Sequence, residues 1–244
     1  MSYNKDCLKR MENNKDTHYW EKREKAPADW YYYKPYLATC IKYSNPGKIL
    51  DVGAGMGGFT ECCARFGLDC VGLEGNDWAV KQAKKRYDMD IRQHFLEYKL
   101  PFNDGEFSVI FCNQVIEHLS EKTAKFALKE FYRVLSDGGT LFIHSPCCYI
   151  KEAQDDPAHI NLYTPKRLCH EVIEAGFNIV IPMSYPRGFI RRSVVTKAIM
   201  TILFVLFPCD RLAGNSSLMV KKTSDKETKI FSPRYFHIQR IIHW

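Results

Sequence analysis

The chain has 244 residues, 45% of them apolar and 26% charged, which suits one sizeable α/β domain with at most a modest appendage. Its 35 basic and 28 acidic residues leave a net charge of +7. That excess tolerates an anionic substrate or a membrane surface but does not call for nucleic acid, and a solvated basic surface is its plainest reading. Ten cysteines suggest a disulfide framework, yet Cys62–Cys63 and Cys147–Cys148 are adjacent pairs, Cys70 and Cys112 sit in strand-like runs, and no CxxC occurs. The opening residues lack the apolar run of a secretory leader, so reduced, mostly buried thiols in a cytoplasmic protein are expected.

In chain order, residues 1–25 are polar and without periodicity and read as a loosely docked lead-in. The aromatic run Trp30-Tyr31-Tyr32-Tyr33-Lys34-Pro35-Tyr36-Leu37 leads into a helix ending near Tyr43, and Asn45-Pro46-Gly47 breaks it. The pattern then alternates: strand Lys48–Val52, helix Gly57–Phe66, strand Asp69–Leu73, helix Trp78–Tyr87, strands Ile91–Phe95 and Phe107–Cys112. Helix Glu121–Leu135, strand Thr140–Ser145, helix Pro165–Ala175 and strand Ile179–Pro182 follow. Strands spaced by helices imply parallel crossovers and a sheet covered on both faces. Val194–Phe207 is almost wholly apolar and follows Arg187, Arg191 and Arg192. It is too short for a membrane span, which takes roughly 20 apolar residues. It reads as a helix packed on the sheet or capping the site, with peripheral docking on a membrane surface as the alternative.

The strongest chemical signal is Ile49-Leu50-Asp51-Val52-Gly53-Ala54-Gly55-Met56-Gly57-Gly58, a buried strand running into a glycine-rich turn and a helix. Glycines there let the backbone turn sharply and let a ligand approach the amides. Gly53, Gly55 and Gly58 also satisfy the spacing of dinucleotide sites, so the turn alone does not separate the two ligands. Glu74, closing the second strand, is placed to accept from both hydroxyls of a ribose, which again fits either. The downstream segments do not suit a dinucleotide enzyme: Leu100-Pro101-Phe102, then Cys112-Asn113-Gln114-Val115-Ile116-Glu117-His118, then Tyr132-Arg133-Val134-Leu135-Ser136-Asp137-Gly138-Gly139.

In these segments, from about Lys48 to Phe177, the chain resembles the class I S-adenosylmethionine-dependent methyltransferases, particularly the ubiquinone-biosynthesis O-methyltransferase-like group. The resemblance implies a Rossmann-like, seven-stranded, mostly parallel sheet with helices on both faces and S-adenosylmethionine across the carboxyl ends of its first strands. It counts Asp51 among the cofactor-binding residues and places Gly53, Ala54 and Gly55 at the aminocarboxypropyl arm, Glu74 at the ribose, Leu96 and Glu97 near the adenine, and Asn113 and Gln114 at the methyl end. The division expected is a lead-in and helical lid over 1–44, a methyltransferase domain over 45–222 with an apolar helix insertion at about 188–210, and a basic, aromatic tail over 223–244.

Methyl transfer asks little of side chains, because the sulfonium is already activated and in-line positioning supplies much of the rate. A hydroxyl acceptor also needs a base, and His118 and His159 titrate in the right range. The same residues resemble a metal set. Small-RNA ribose methyltransferases and some ubiquinone-type enzymes bind a divalent ion through Glu-x-x-Glu-His and a later His. Here the run is Gln114-x-x-Glu117-His118 with His159 downstream. Gln114 is a poor ligand for a hard cation, so no metal is expected, and Glu117, His118 and His159 remain the alternative site. Cys147 and Cys148 read as small buried thiols. The function expected is methyl transfer to an oxygen or nitrogen of a small molecule, a lipid-like one being among the candidates. The rivals are a ribose methyltransferase, which lacks an obvious RNA-binding module, and a catalytically silent cofactor-binding protein.

Overall fold

The computed structural model describes residues 30–45, 47–87, 89–184, 213–224 and 228–230. The lead-in over 1–25 and the apolar stretch Val194–Phe207 lie outside the described residues, as does the tail beyond 230.

Helix α1 spans Trp30–Tyr43, followed by β1 (Ile49–Val52), α2 (Gly58–Arg65), β2 (Cys70–Glu74), α3 (Asp77–Tyr87), β3 (Ile91–Gln93) and β4 (Phe107–Asn113). After a single 3₁₀ turn at Ile116–His118 come α4 (Glu121–Val134), β5 (Leu135–Pro146), the one-turn α5 (Lys151–Gln154), α6 (Pro165–Glu174), β6 (Ile179–Pro182), β7 (Asn215–Lys221) and β8 (Lys229–Ile230). The strands form one sheet in the order β3-β2-β1-β4-β5-β7-β6-β8. Strands β1 to β5 pair in parallel, and β7 lies antiparallel between β5 and β6.

The sheet therefore has eight strands where seven were expected. The addition is β8, two exposed residues paired in parallel with β6 at the edge. Strand β7 had no signal in the sequence, because Asn215, Ser216 and Ser217 carry turn chemistry. All three are buried nonetheless, paired along β5 from Thr140↔Lys221 to Pro146↔Asn215. Strand β5 also starts five residues before Thr140, across Ser136-Asp137-Gly138-Gly139. A register irregularity against β4 accommodates these residues; the Gly138 amide donates to Lys222 O at 2.8 Å and Lys222 N donates to Gly139 O at 3.0 Å.

Alternate residues of each strand build the two faces of the core. Leu50, Val52, Ile110, Cys112, Leu141 and Ile143 meet the apolar stripes of α4 and α6 on one side. Both helices start where the chain supplies a cap: Ser120 accepts from Thr123 N, and Thr164 accepts from Arg167 N with Pro165 just inside. On the other side Ile49, Val109, Phe111, Phe142 and Met219 meet α1 and α2. There Phe59 stacks on Phe111 with centroids 3.8 Å apart, and Tyr36 lies edge-on to Phe142 at 5.6 Å. Tyr33 comes so close to α2 that a Cβ on Gly58 would sit 2.6 Å from its ring. Tyr33 and Tyr36 thus pack α1 onto the sheet, while Tyr32 is exposed. All eight described cysteines are free, and five of them are buried. Among the described residues no helix is long and apolar enough to cross a membrane.

Two sequence landmarks prove to be one hydrogen-bonded knot. Arg133 near the end of α4 donates to Phe102 O (2.9 Å), Leu100 O (3.1 Å) and Asp104 Oδ1 (2.7 Å). It also grips both carboxylate oxygens of Glu130, at 2.8 and 2.7 Å, while Glu130 accepts from Leu100 N at 2.8 Å. The fork geometry needed is peculiar to guanidinium. Arg133→Ala is expected to lower the unfolding free energy by about 1.5–3 kcal/mol, with Arg133→Lys recovering only part of it. Urea denaturation measures both. A loss below about 0.5 kcal/mol, the level of an ordinary surface change, would mean the knot adds nothing.

Candidate functional site

The strand order reverses between β1 and β4, and in open α/β sheets the crevice outside the carboxyl ends at such a point is where ligands bind. The turn after β1 enters it first. The amides of Gly53 and Ala54 both donate to Leu73 O, at 2.8 and 2.9 Å, which hangs the turn on the end of β2. Gly53 has φ +69°, and a Cβ there would lie 2.2 Å from Val115 Cγ2. Glycine is required for both reasons. The loop that follows β4 thus rests directly on the loop that follows β1.

Glu74 is half-buried at the end of β2. Its Oε2 accepts from Gly55 N and its Oε1 from Asn76 N, each at 2.9 Å. Burial pushes its pKa up, against the relief given by these amides. Each oxygen still has a lone pair for a further donor. Asp51 lies deeper, 3% exposed, and its Oδ2 accepts from the Thr60 hydroxyl at 2.8 Å. It braces the turn and the start of α2 from below. Burial outweighs that hydrogen bond and raises its pKa to about 7.

Leu96 and Glu97 are half-buried in the turn after β3, where Tyr98 N donates to Phe95 O at 3.1 Å and Leu96 packs against the core. Phe95 in the same turn lies 3.3 Å from where a Cβ on Gly75, next to Glu74, would sit. Asn113 ends β4 half-buried, in register with His144. Gln114 is exposed and has φ +60°, the one non-glycine in the left-handed region among the described residues, with its amide held by His144 O at 2.9 Å. Such strain commonly sits at ligand sites.

Two residues past Val115, Glu117 is wholly buried, and neither of its oxygens accepts a hydrogen bond from the described residues. Burial raises its pKa to about 7; Ser145 is near enough to temper the shift without a bond of ordinary geometry. The segment after β5 folds back over this turn: Asn161 N donates to Glu117 O at 3.0 Å, and His118 Nδ1 lies 3.0 Å from Ala158 O. His159 comes with it, its ring centroid 5.0 Å from that of His118. Glu117, His118 and His159 each offer a ligand atom within 4.8 Å of the others.

Sequence reasoning missed a second polar group. His144 on β5 is 8% exposed, and its Nδ1 faces Ser217 Oγ and Asn215 Nδ2 across β7. One histidine in an apolar run carried no signal, because its partners lie 71 and 73 residues on, in a strand that was not predicted.

A doubly wound sheet whose first turn hangs on β2, next to an acid closing β2, is the fold of the class I, Rossmann-like methyltransferases and is shared with dinucleotide-binding enzymes. Residues 50–143 match the methyltransferase domain family. A crystal structure of a SAM-dependent methyltransferase from Archaeoglobus fulgidus superposes with a TM-score of 0.65 at 19% identity, covering 84% of this chain and 99% of that one. A chloroplastic tocopherol O-methyltransferase from Arabidopsis thaliana is 34% identical over 110 residues, which is 41% of this chain and 30% of the relative. A ubiquinone biosynthesis O-methyltransferase from Psychrobacter arcticus is 27% identical over 152 residues, 53% of this chain and 58% of that protein. The chain thus spans less than two thirds of either curated relative.

Asp51 offers a test of the buried brace. Its folded pKa of about 7 exceeds the ordinary 3.8, so the native state holds the proton more tightly than the unfolded chain. The stability this contributes is full below the unfolded value and is lost as pH rises towards the folded one. Asp51→Asn, which can still accept from Thr60, is expected to gain on the wild type between about pH 4 and 7 and to level off above. Urea midpoints from pH 4 to 8 report it; a difference that stays flat would show that Asp51 ionises normally.

Proposed function

We propose that this chain transfers the methyl group of S-adenosylmethionine to an oxygen or nitrogen of a small, lipid-like acceptor. The observation that carries the reading is the Glu74 carboxylate, held by the Gly55 and Asn76 amides at the mouth of the crevice. Two fixed oxygens with spare lone pairs match the vicinal hydroxyls of a ribose, and the glycine turn beside them leaves room for the methionine arm. The acceptor's lone pair forms the new bond to the methyl carbon as the S–CH₃ bond breaks, leaving S-adenosylhomocysteine, and a hydroxyl acceptor sheds its proton. Gly53–Gly55, Asn113 and Gln114 orient the donor, Leu96 and Glu97 border the adenine, and deprotonation falls to the group of Glu117, His118 and His159. The tocopherol and ubiquinone named for the relatives support a prenyl-lipid phenol as the acceptor class.

Calorimetry on the full chain tests the donor site. Glu74→Ala is expected to weaken S-adenosylmethionine binding by about 1.5–3 kcal/mol, the value of hydrogen bonds to a charged group. Unchanged affinity in a folded variant would remove Glu74 from the site, and tighter binding of NAD than of S-adenosylmethionine would overturn the reading. Methyl-labelled donor then separates the acceptors. Label is expected in solvent-extractable phenols; label in RNA would favour ribose methylation, and binding without transfer to any acceptor a silent protein.

A further inference from the structure

We infer that His144 binds the methyl acceptor, its Nε2–H donating to the acceptor atom and selecting oxygen over nitrogen, an assignment that rests on the methyl-transfer reading and narrows it. A polar row laid across an apolar face points to it. Phe111, Phe142 and Met219 stand in register on β4, β5 and β7 and pack under α1 and α2. Two residues nearer the carboxyl ends of β4 and β5, the same face carries Asn113, His144 and Ser217, again in register. His144 is 8% exposed and Ser217 2%, so both are interior polar groups where packing alone would place apolar side chains. Departures from a strand's apolar pattern are expected at functional sites.

The hydrogen bonds around this row fix the tautomer of His144. Asn215 Nδ2 lies 3.1 Å from His144 Nδ1 and donates to Ser217 Oγ as well. Ser217 Oγ, supplied in this way, turns its own hydrogen to His144 Nδ1, 2.5 Å away. An amide nitrogen only donates, so Nδ1 is the acceptor and Nε2 carries the hydrogen. Asn215 and Ser217 are thus positioning residues, and β7 is anchored beside them: Ser217 N donates to Ser184 Oγ at 3.2 Å and Ser216 Oγ to Tyr163 O at 2.8 Å.

His144 lies one strand, about 4.8 Å, from Asn113, and its carbonyl holds the Gln114 amide at 2.9 Å. Both neighbours border the methyl end of the donor in the proposed arrangement. The order β2-β1-β4-β5 carries the row away from the glycine turn, to the side of the methyl group opposite the sulfur, where in-line attack begins. An oxygen has two lone pairs: one accepts the Nε2–H hydrogen bond and the other attacks the methyl carbon. A neutral amine has a single lone pair, which the same hydrogen bond would occupy. A donor fixed at this point therefore favours a hydroxyl, phenol or carboxylate acceptor.

The test uses the full chain loaded with S-adenosylhomocysteine and a matched pair of probes, a long-chain alkylphenol and the corresponding alkylaniline, titrated by calorimetry. The phenol is expected to bind about tenfold tighter than the aniline, the effect of one well-made hydrogen bond. His144→Asn keeps an amide at the Nδ1 position for Asn215 and Ser217 but removes Nε2, and is expected to lose that preference with its S-adenosylhomocysteine affinity intact. His144→Gln, whose amide nitrogen reaches the Nε2 position, is expected to restore it. Nitrogen NMR of the labelled wild-type chain reads the tautomer without any substitution, and a ring protonated at Nδ1 instead of Nε2 overturns the assignment. So does uptake of S-adenosylhomocysteine with no phenol bound, with aniline bound as tightly as phenol, or with equal preference in wild type and His144→Asn; each of these leaves the methyl-transfer reading standing. No uptake of S-adenosylhomocysteine by the folded wild type removes both.

Discussion

The contact between the α-carbon of Gly53 and the side chain of Val115 is the constraint on which the crevice depends. A methyl group at Gly53 would overlap Val115 Cγ2 at 2.2 Å, so the loops after β1 and β4 approach as closely as a backbone allows. Flanking Val115, Gln114 is in a left-handed conformation and the chain enters the 3₁₀ turn in which Glu117 is buried. The other side of the glycine turn is suspended from Leu73 O. The glycine turn and the turn carrying Glu117 are therefore in direct contact, meeting at one glycine.

Electrostatics runs in the same direction. Asp51 and Glu74 brace the glycine turn and Glu117 lies in the turn after β4, and burial lifts the pKa of all three. The Asp51 shift is raised further by Glu74. Carboxylates held this way are stabilised in their charged form by a nearby cation. S-adenosylmethionine carries a sulfonium and an ammonium. The same pressure acts at both ends of the crevice and favours positively charged occupants. Hydrogen bonds divide the roles: Glu74 is already fixed by two amides, Asp51 is committed to Thr60, and only Glu117 is bare.

The knot around Arg133 shows how a distant part of the fold supports this arrangement. By holding Leu100, Phe102 and Asp104 against α4, it sets the approach into β4, whose far end delivers Asn113 and Gln114. Stability here rests on geometry peculiar to guanidinium, and the loss expected for Arg133→Ala measures it.

The sequence by itself determined the alternation of strands and helices, because apolar periodicity and caps such as Ser120 and Thr164 act over a few residues. The glycine turn and Glu74 were legible for the same local reason, since a strand, a turn demanding φ above zero and a terminal acid lie within 26 residues. Strand β7 was not legible: Asn215, Ser216 and Ser217 are strand residues only because His144, Tyr163 and Ser184 meet their polar atoms in the interior. Nor was the depth of Asp51. The Glu117 group shows the division most plainly, for the sequence offered three ligand types and a missing fourth. Only the tertiary structure decided that His159 folds back over Glu117, that both imidazoles are turned by carbonyls, and that the carboxylate has no hydrogen-bond partner of ordinary geometry among the described residues. Those facts depend on which buried group lacks a partner, a property of the packed whole that no stretch of chain encodes alone.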